Sequence, residues 1–362
     1  MRNRLLLALA VLLVLAPGVG AQTTDPRGAD PNAANPLLGQ TWWINKGLHP
    51  AWLQYKRYRR QGKGRRAALM WKVAREPKFQ WFGRFSSMEL LRDHIADAQS
   101  EGAVPLIAVL RAQSKACGGD YNGGGPEEDE RTREWYRAFA DTVGSHRAVI
   151  AFEPDSLGTI DCLGAAWRQN RLDLLRYGVD VLSQLPNATV YLEAGASDWE
   201  PAHRTASQLQ YIGIDKVRGF MLNVTHYDWT QANIRHGLNL SRRIGGKPFI
   251  INTATNGRGP VHWRNARGRR QNVWCHPLRR GLGPPPTTAT QHPKVDAYMW
   301  INRPGYSGGS CNGGPLPVGT WWPERALTLA RYATDWIRPP RGTRFGLFRP
   351  YSVRDLAGDG YR

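Results

Sequence analysis

Six short, unbroken apolar runs, at residues 104–110, 148–152, 188–192, 219–224, 248–252 and 296–301, constrain this 362-residue chain more than any other feature. Each has strand length. Each also carries apolar residues at consecutive positions, where a strand with one wet face would alternate. Both faces must therefore be buried, which is the condition of a parallel sheet covered by helices. Helical patterns fill the intervals, at 88–99, 132–143, 165–185, 202–210, 230–244 and 323–337. Ser86 or Ser87 and Thr230 stand where N-caps are expected. Strand and helix alternating this often predict an α/β chain, a distorted (β/α) barrel of about seven parallel strands in a single domain. No linker-like tract and no repeat of fixed period interrupts it.

The chain opens with Arg2 and Arg4, an apolar run over 5–15, and Val19-Gly20-Ala21. That is the layout of an export signal occupying 1–21, with cleavage after Ala21. The run is too short to span a bilayer, so a secreted protein and no membrane partner are expected. In an exported chain four cysteines, Cys117, Cys162, Cys275 and Cys311, read as two disulfides. No CxxC pair exists, and neither a metal nor a cofactor is expected. Residues 22–34 read as a flexible polar lead-in, 35–345 as the folded unit, and 346–362 as a tail; the protein is expected to be a monomer.

The formal charge is +20. Basic clusters lie at 56–66, at 264–270, and at Arg279 with Arg280. Such a field favours anionic partners, or simply forms a solvated face. No helix interleaves arginine with aromatics, and a nucleic-acid partner is not expected.

Polar groups follow the apolar runs closely: Glu153 and Asp155, then Glu193, Asn223, Asn252 and Asn302. In a parallel barrel that edge gathers catalytic residues. The richest segment is Glu153-Pro154-Asp155-Ser156, which sets two carboxylates at the barrel mouth with Pro154 fixing the turn between them. It stands in an ordered series. Before it come Asn35-Pro36-Leu37-Leu38-Gly39 and Phe79-Gln80-Trp81-Phe82. After it come Tyr191-Leu192-Glu193-Ala194-Gly195 with Trp199, Leu222-Asn223-Val224, and Asn256-Gly257-Arg258. The series ends with Trp274-Cys275-His276, Gly281-Leu282-Gly283, Tyr298-Met299-Trp300 and Trp321-Trp322-Pro323-Glu324.

Together and in this order the motifs resemble glycoside hydrolase family 6, the cellobiohydrolases and endoglucanases that cleave β-1,4-glucan with inversion. The resemblance spans about residues 35–338. It implies a distorted barrel with a groove at its top face and Asp155 as the general acid that protonates the leaving oxygen. It pairs Cys117 with Cys162 and Cys275 with Cys311. It also makes Trp81, Trp199 and Trp274 sugar platforms, with Asn223, Arg258 and Asn302 along the same groove. A short passage from Cys311 to Trp321 and a compact Gly-rich loop after Cys117 look like the bacterial endo-acting members, whose substrate is a polysaccharide.

The departures from the pattern fall at the chemistry. Ala116 stands where the family has an Asp beside the acid. Asn302, Tyr306 and Gly308 replace its Lys, Glu and Asp, and Glu193 and Ala196 replace a further Asp and a His. Inversion needs a base on the far side of the sugar from the acid. Three readings stay open: a base moved to Asp120, Glu193 or Asp198; a different, anionic β-glucan as substrate; or a carbohydrate-binding relic without hydrolysis.

Overall fold

The computed structural model describes residues 25–112, 125–264 and 270–340. Two helices, α1 (Pro50–Arg60) and α2 (Gly64–Ala74), precede the repeating part of the chain. Then β1 (Gln80–Gly83), α3 (Met88–Ser100), β2 (Leu106–Leu110), α4 (Pro126–Val143), β3 (Ala148–Phe152) and α5 (Ala165–Leu182) alternate. The pattern continues with β4 (Ala188–Glu193), α6 (Ala202–Ile212), β5 (Gly219–Leu222), α7 (Thr230–Arg243) and β6 (Phe249–Asn252). A small antiparallel hairpin, β7 (His262–Arg264) and β8 (Arg270–Asn272), comes before β9 (Val295–Met299) and α8 (Pro323–Arg331).

Seven strands form one sheet in the order β1-β2-β3-β4-β5-β6-β9, and every pairing is parallel. The sheet curls until its edges nearly meet. There the Phe79 amide donates to the Trp300 carbonyl at 3.1 Å, and the Trp81 indole donates to the Ile301 carbonyl at 2.8 Å. The expected barrel of about seven strands is the observed one.

The unbroken apolar runs resolve into two buried faces. Alternate residues Ala108, Ala151, Tyr191, Met221, Ile250 and Ala297 fill the inside of the curl, and their small members let it tighten. The intervening Val109, Ile150, Leu192, Phe220 and Ile251 pack outward under the helices. Each such burial contributes about 1.5–3 kcal/mol, so neither face could be traded for a polar one. Two helices sit unusually close to the sheet. A Cβ on Gly178 of α5 would lie 2.4 Å from the Phe152 ring, and one on Gly237 of α7 2.4 Å from Phe249. Only glycine permits that approach.

Helix α3 forms for local reasons. The Ser87 hydroxyl accepts the Leu90 amide, Glu89 sits in the first turn, and Leu91, Ile95 and Ala98 line one stripe. Ser87, not Ser86, is the cap. The other expected cap is corrected: Trp229 occupies the N-cap of α7, while Thr230 is its first helical residue and accepts from Asn256 Nδ2 at 3.0 Å. Helix α4 starts six residues earlier than its apolar pattern, because Pro126 opens the helix and Glu127, Glu128 and Asp129 suit the positive end of its dipole.

At the lower, N-terminal ends of the strands a buried ion pair anchors the barrel. Arg218, just before β5, holds Asp296 of β9 through two bonds of 2.8 and 2.9 Å, and the Tyr191 hydroxyl adds a third at 2.7 Å. The same guanidinium donates to the Gly28 and Ala33 carbonyls at 3.0 and 3.2 Å, and Lys247 donates to that of Ala29. Residues 25–34, expected as a flexible lead-in, are thus docked beneath the barrel by buried cations. Residues 22–24, the expected leader and the tail lie outside the described residues.

Candidate active site

The upper strand ends carry the polar residues that the sequence singles out, and the structure sorts them into braces and reactive groups. Glu153 is a brace. Its carboxylate accepts the Arg111 and Ala112 amides at 2.9 and 3.0 Å and the Tyr136 hydroxyl at 2.6 Å, tying the ends of β2 and β3 to α4. Asn223 and Asn252 are braces too. Asn223 Nδ2 donates to the Asn252 carbonyl at 3.1 Å, and Asn252 Nδ2 to the Asn223 carbonyl at 3.0 Å. Asn252 Oδ1 accepts the Ile301 and Asn302 amides, both at 3.0 Å. Asn223, expected along the sugar groove, is fully buried: its Nδ2 donates to the Asp228 and Asn252 carbonyls and its Oδ1 accepts the Asp228 amide.

Asp155 differs. It is half-buried on the turn after β3, with Thr225 Oγ1 donating to its Oδ1 at 2.6 Å. Among the described residues no lysine or arginine forms an ion pair with it. Burial pushes its carboxyl above the usual range, partly offset by the Thr225 hydroxyl and the nearby His226. Beneath it lies Glu193, the last residue of β4, only 3% exposed. Glu193 Oε2 accepts the Leu157 and Gly158 amides at 2.8 and 3.2 Å, and Oε1 accepts the Gly195 amide. Burial, and then the charge of Asp155, raise Glu193 to about 8. The charge of Asp155 opposes ionisation of the buried Glu193, so the pair retains a proton near neutrality.

The two carboxyls are held differently. Three main-chain N–H groups donate to Glu193, and the Thr225 hydroxyl donates to Asp155. The pair's proton is shared between a walled-in carboxyl and one on the acid-bearing turn.

Around this pair stand groups that sequence reasoning treated unevenly. Asp198 was named only as one of three places for a base; His226 was not singled out. The structure brings them together, with His226 Nδ1 at 2.9 Å from Asp198 Oδ1 and Asn272 Nδ2 at 2.7 Å from Asp198 Oδ2. The polar residues Thr225 and His226, which end the apolar run after Val224, are the available signal. Asp228 lies close by, accepting from the Ser197 hydroxyl at 2.5 Å, and burial and the charge of Asp198 raise it.

The expected platforms separate as well. Trp81 lies at the seam with the Arg303 guanidinium 5.5 Å from its ring, and Tyr306 lies 4.1 Å from the same guanidinium. One face of Trp199 is stacked on His226 at 4.4 Å and 14°, and its benzo ring meets Gly158, so it is built into the wall around the acid rather than standing as an open platform. Trp274 is 46% exposed beside the Cys275–Cys311 disulfide. Arg258 lies over the Tyr332 ring at 5.0 Å, and Asn302 Oδ1 accepts the Arg303 amide at 2.7 Å. Cys162 is disulfide-bonded, while its expected partner Cys117, and with it Asp120 and Ala116, lie outside the described residues. Among the described residues, the only group with metal-ligand proximity is Cys275, His276 and Cys311, and both sulfurs are taken by the disulfide.

A curled sheet of seven parallel strands in this order has counterparts among known proteins. Residues 37–333 match the family model described as glycosyl hydrolases family 6. The chain belongs to that family. It is 34% identical over 271 residues to endoglucanase A of Cellulomonas fimi, covering 74% of this chain and 56% of that one. It is 29% identical over 277 residues to endoglucanase 1 of Streptomyces halstedii, covering 74% and 82%. Among solved structures it resembles the endoglucanase Cel6 of Mycobacterium tuberculosis, determined with a thio-linked methyl cellobiosyl-cellobioside. That match has a TM-score of 0.74 at 34% identity and covers 83% of this chain and 99% of that chain. Among the described residues no helix is long and apolar enough to cross a membrane.

Proposed function

We propose that this chain is a secreted glycoside hydrolase that cuts internal β-1,4-glucosidic bonds with inversion, residues 1–21 directing its export. The observation that carries the reading is the Asp155–Glu193 pair, a carboxyl held protonated at a strand end of a family 6 barrel. In that reading Asp155 gives its proton to the leaving glycosidic oxygen while water adds to the anomeric carbon from the opposite face and passes its own surplus proton to solvent. Glu193, boxed in by three N–H groups, acts as the buried carboxyl that shares the pair's proton with Asp155, not as the base. Trp81 and Trp274 offer indole faces to sugar rings.

The test is to incubate the purified protein with soluble β-1,4-glucan and follow both reducing ends and the anomer of the newborn end by NMR. The expected result is release of mid-chain fragments whose new ends appear first as the α-anomer. Appearance of the β-anomer first would overturn inversion, and no release from any β-glucan would leave a binding protein.

An anionic β-glucan is a second reading. Lys56, Arg57, Arg59, Arg60, Lys63 and Arg65 are exposed on the α1–α2 hairpin and form no ion pair among the described residues, and Arg303 lies against Trp81 and Tyr306. If it holds, kcat/KM on a carboxylated glucan will exceed that on the neutral polymer. That advantage will shrink as salt rises toward about 1 M, where the screening length falls to about 3 Å. Equal rates on the two polymers at every salt concentration would leave the basic hairpin a solvated face.

A further inference from the structure

We propose that His226, anchored on Asp198, is a positioning residue that governs how readily Asp155 releases its proton. The inference rests on the reading of Asp155 as the acid.

The imidazole is fixed on three sides. A carboxylate can only accept, so Nδ1 carries the hydrogen that joins it to Asp198 Oδ1 at 2.9 Å. Asp198 is itself held by Asn272 from the β7–β8 hairpin. The ring lies flat on Trp199, whose far end packs against Gly158 in the same turn that carries Asp155. The preceding residue, Thr225, supplies the hydroxyl bonded to Asp155. Ring, platform and acid turn are therefore one packed unit, and His226 cannot be replaced without altering what Asp155 faces.

The charges give this unit its effect. His226 is faced by Asp155 from the turn after β3, by Asp198 from the loop after β4, and by Asp228 on its own segment. His236 of α7 lies across Asp198. Glu193 adds a carboxyl below Asp155. Among the described residues no lysine or arginine forms an ion pair with any of these carboxyls, so the imidazole is the group placed to balance them. The ring beside Asp155 favours its carboxylate and loosens its proton, opposing the burial that tightens it. A buried acid with no such neighbour would hold its proton too firmly to donate it well.

The experiment compares two substrates: soluble β-1,4-glucan, and a dinitrophenyl cello-oligosaccharide whose leaving group departs without a proton. His226→Asn is expected to lower kcat on the glucan by about 10-fold, with KM little changed. It should move the alkaline limb of the pH profile up by about one unit, because Asp155 then keeps its proton longer. The dinitrophenyl substrate should lose less than about 3-fold, since only the acid's contribution is weakened. Asp198→Asn should shift the limb in the same direction, and it serves as the second variant if His226→Asn misfolds. An unmoved alkaline limb, or equal losses on the two substrates, would overturn the proposal. Asp155→Asn, measured alongside, separates the two claims. If it cleaves glucan like the parent, the reading of Asp155 falls and this inference with it; if it is inactive while His226→Asn is unshifted, only this inference falls.

Discussion

Asp155→Asn will lose at least about 10²–10⁴-fold in kcat on soluble β-1,4-glucan while binding the polymer almost as before. The substitution removes the transferable proton and little else. Asparagine matches the shape of the side chain and, like aspartate, tolerates the positive φ of 69° at this position. The fold should therefore survive, which a thermal melt by circular dichroism would verify. The parent enzyme carries the companion signature in its pH profile. The acid must hold its proton to work, and burial has raised both Asp155 and Glu193. Activity should fall on the alkaline side of the profile, at a pH above that of an ordinary aspartate, as Asp155 surrenders its proton. Reducing-end assays across pH measure both effects. Turnover by the Asn variant at the parental rate would remove Asp155 from the chemistry.

Arg218→Met will destabilise the protein by about 3–5 kcal/mol. Arg218 and Asp296 are 3% and 1% exposed, and the Tyr191 hydroxyl completes the group. Removing the cation leaves a carboxylate stranded beneath the barrel, and the Gly28 and Ala33 carbonyls lose their donor. For a chain of this size the loss corresponds to a fall in Tm of roughly 4–7 °C. Because the pair lies at the end of the strands opposite the candidate site, turnover per folded molecule should hold at low temperature. Denaturant midpoints of the single variant and of Arg218→Met with Asp296→Leu check the cause. The double variant removes both charges and should recover part of the loss.

The sequence made the barrel legible where periodicity is strongest. β3 spans Ala148–Phe152, the interval its apolar run marks, and the other five runs fall within two residues of observed strands at either end. β1 escaped notice as a strand because Gln80–Gly83 is four residues long and begins with a polar residue and ends with a glycine. Helices α1 and α2 were read as a basic cluster, because cations crowd their exposed faces and few apolar positions, Tyr58, Met70 and Val73 among them, mark the buried one. The site was legible one strand end at a time. Sequence order could raise Asp155 and Glu193 as candidates, since each ends an apolar run. It could not separate them from Glu153 and Asn223, which have the same placement but spend their polar atoms on neighbouring main chain. That distinction depends on where the adjacent strand ends, a property of parallel register. His226 and Asp198 meet only because β4 and β5 are neighbours, so nothing local announces their pairing.

Glu153, Asp155 and Asn223 all adopt positive φ, at 54°, 69° and 69°. Side-chain-bearing residues enter that conformation at a cost of order 1–3 kcal/mol, and glycine enters it freely. Directed evolution of this enzyme for heat resistance alone would accordingly be drawn to glycine at position 155, a substitution that relaxes the backbone and, on the proposed reading, removes the acid. Selection schemes for hardier variants must score sugar release in every round, or they will enrich well-folded, inert proteins.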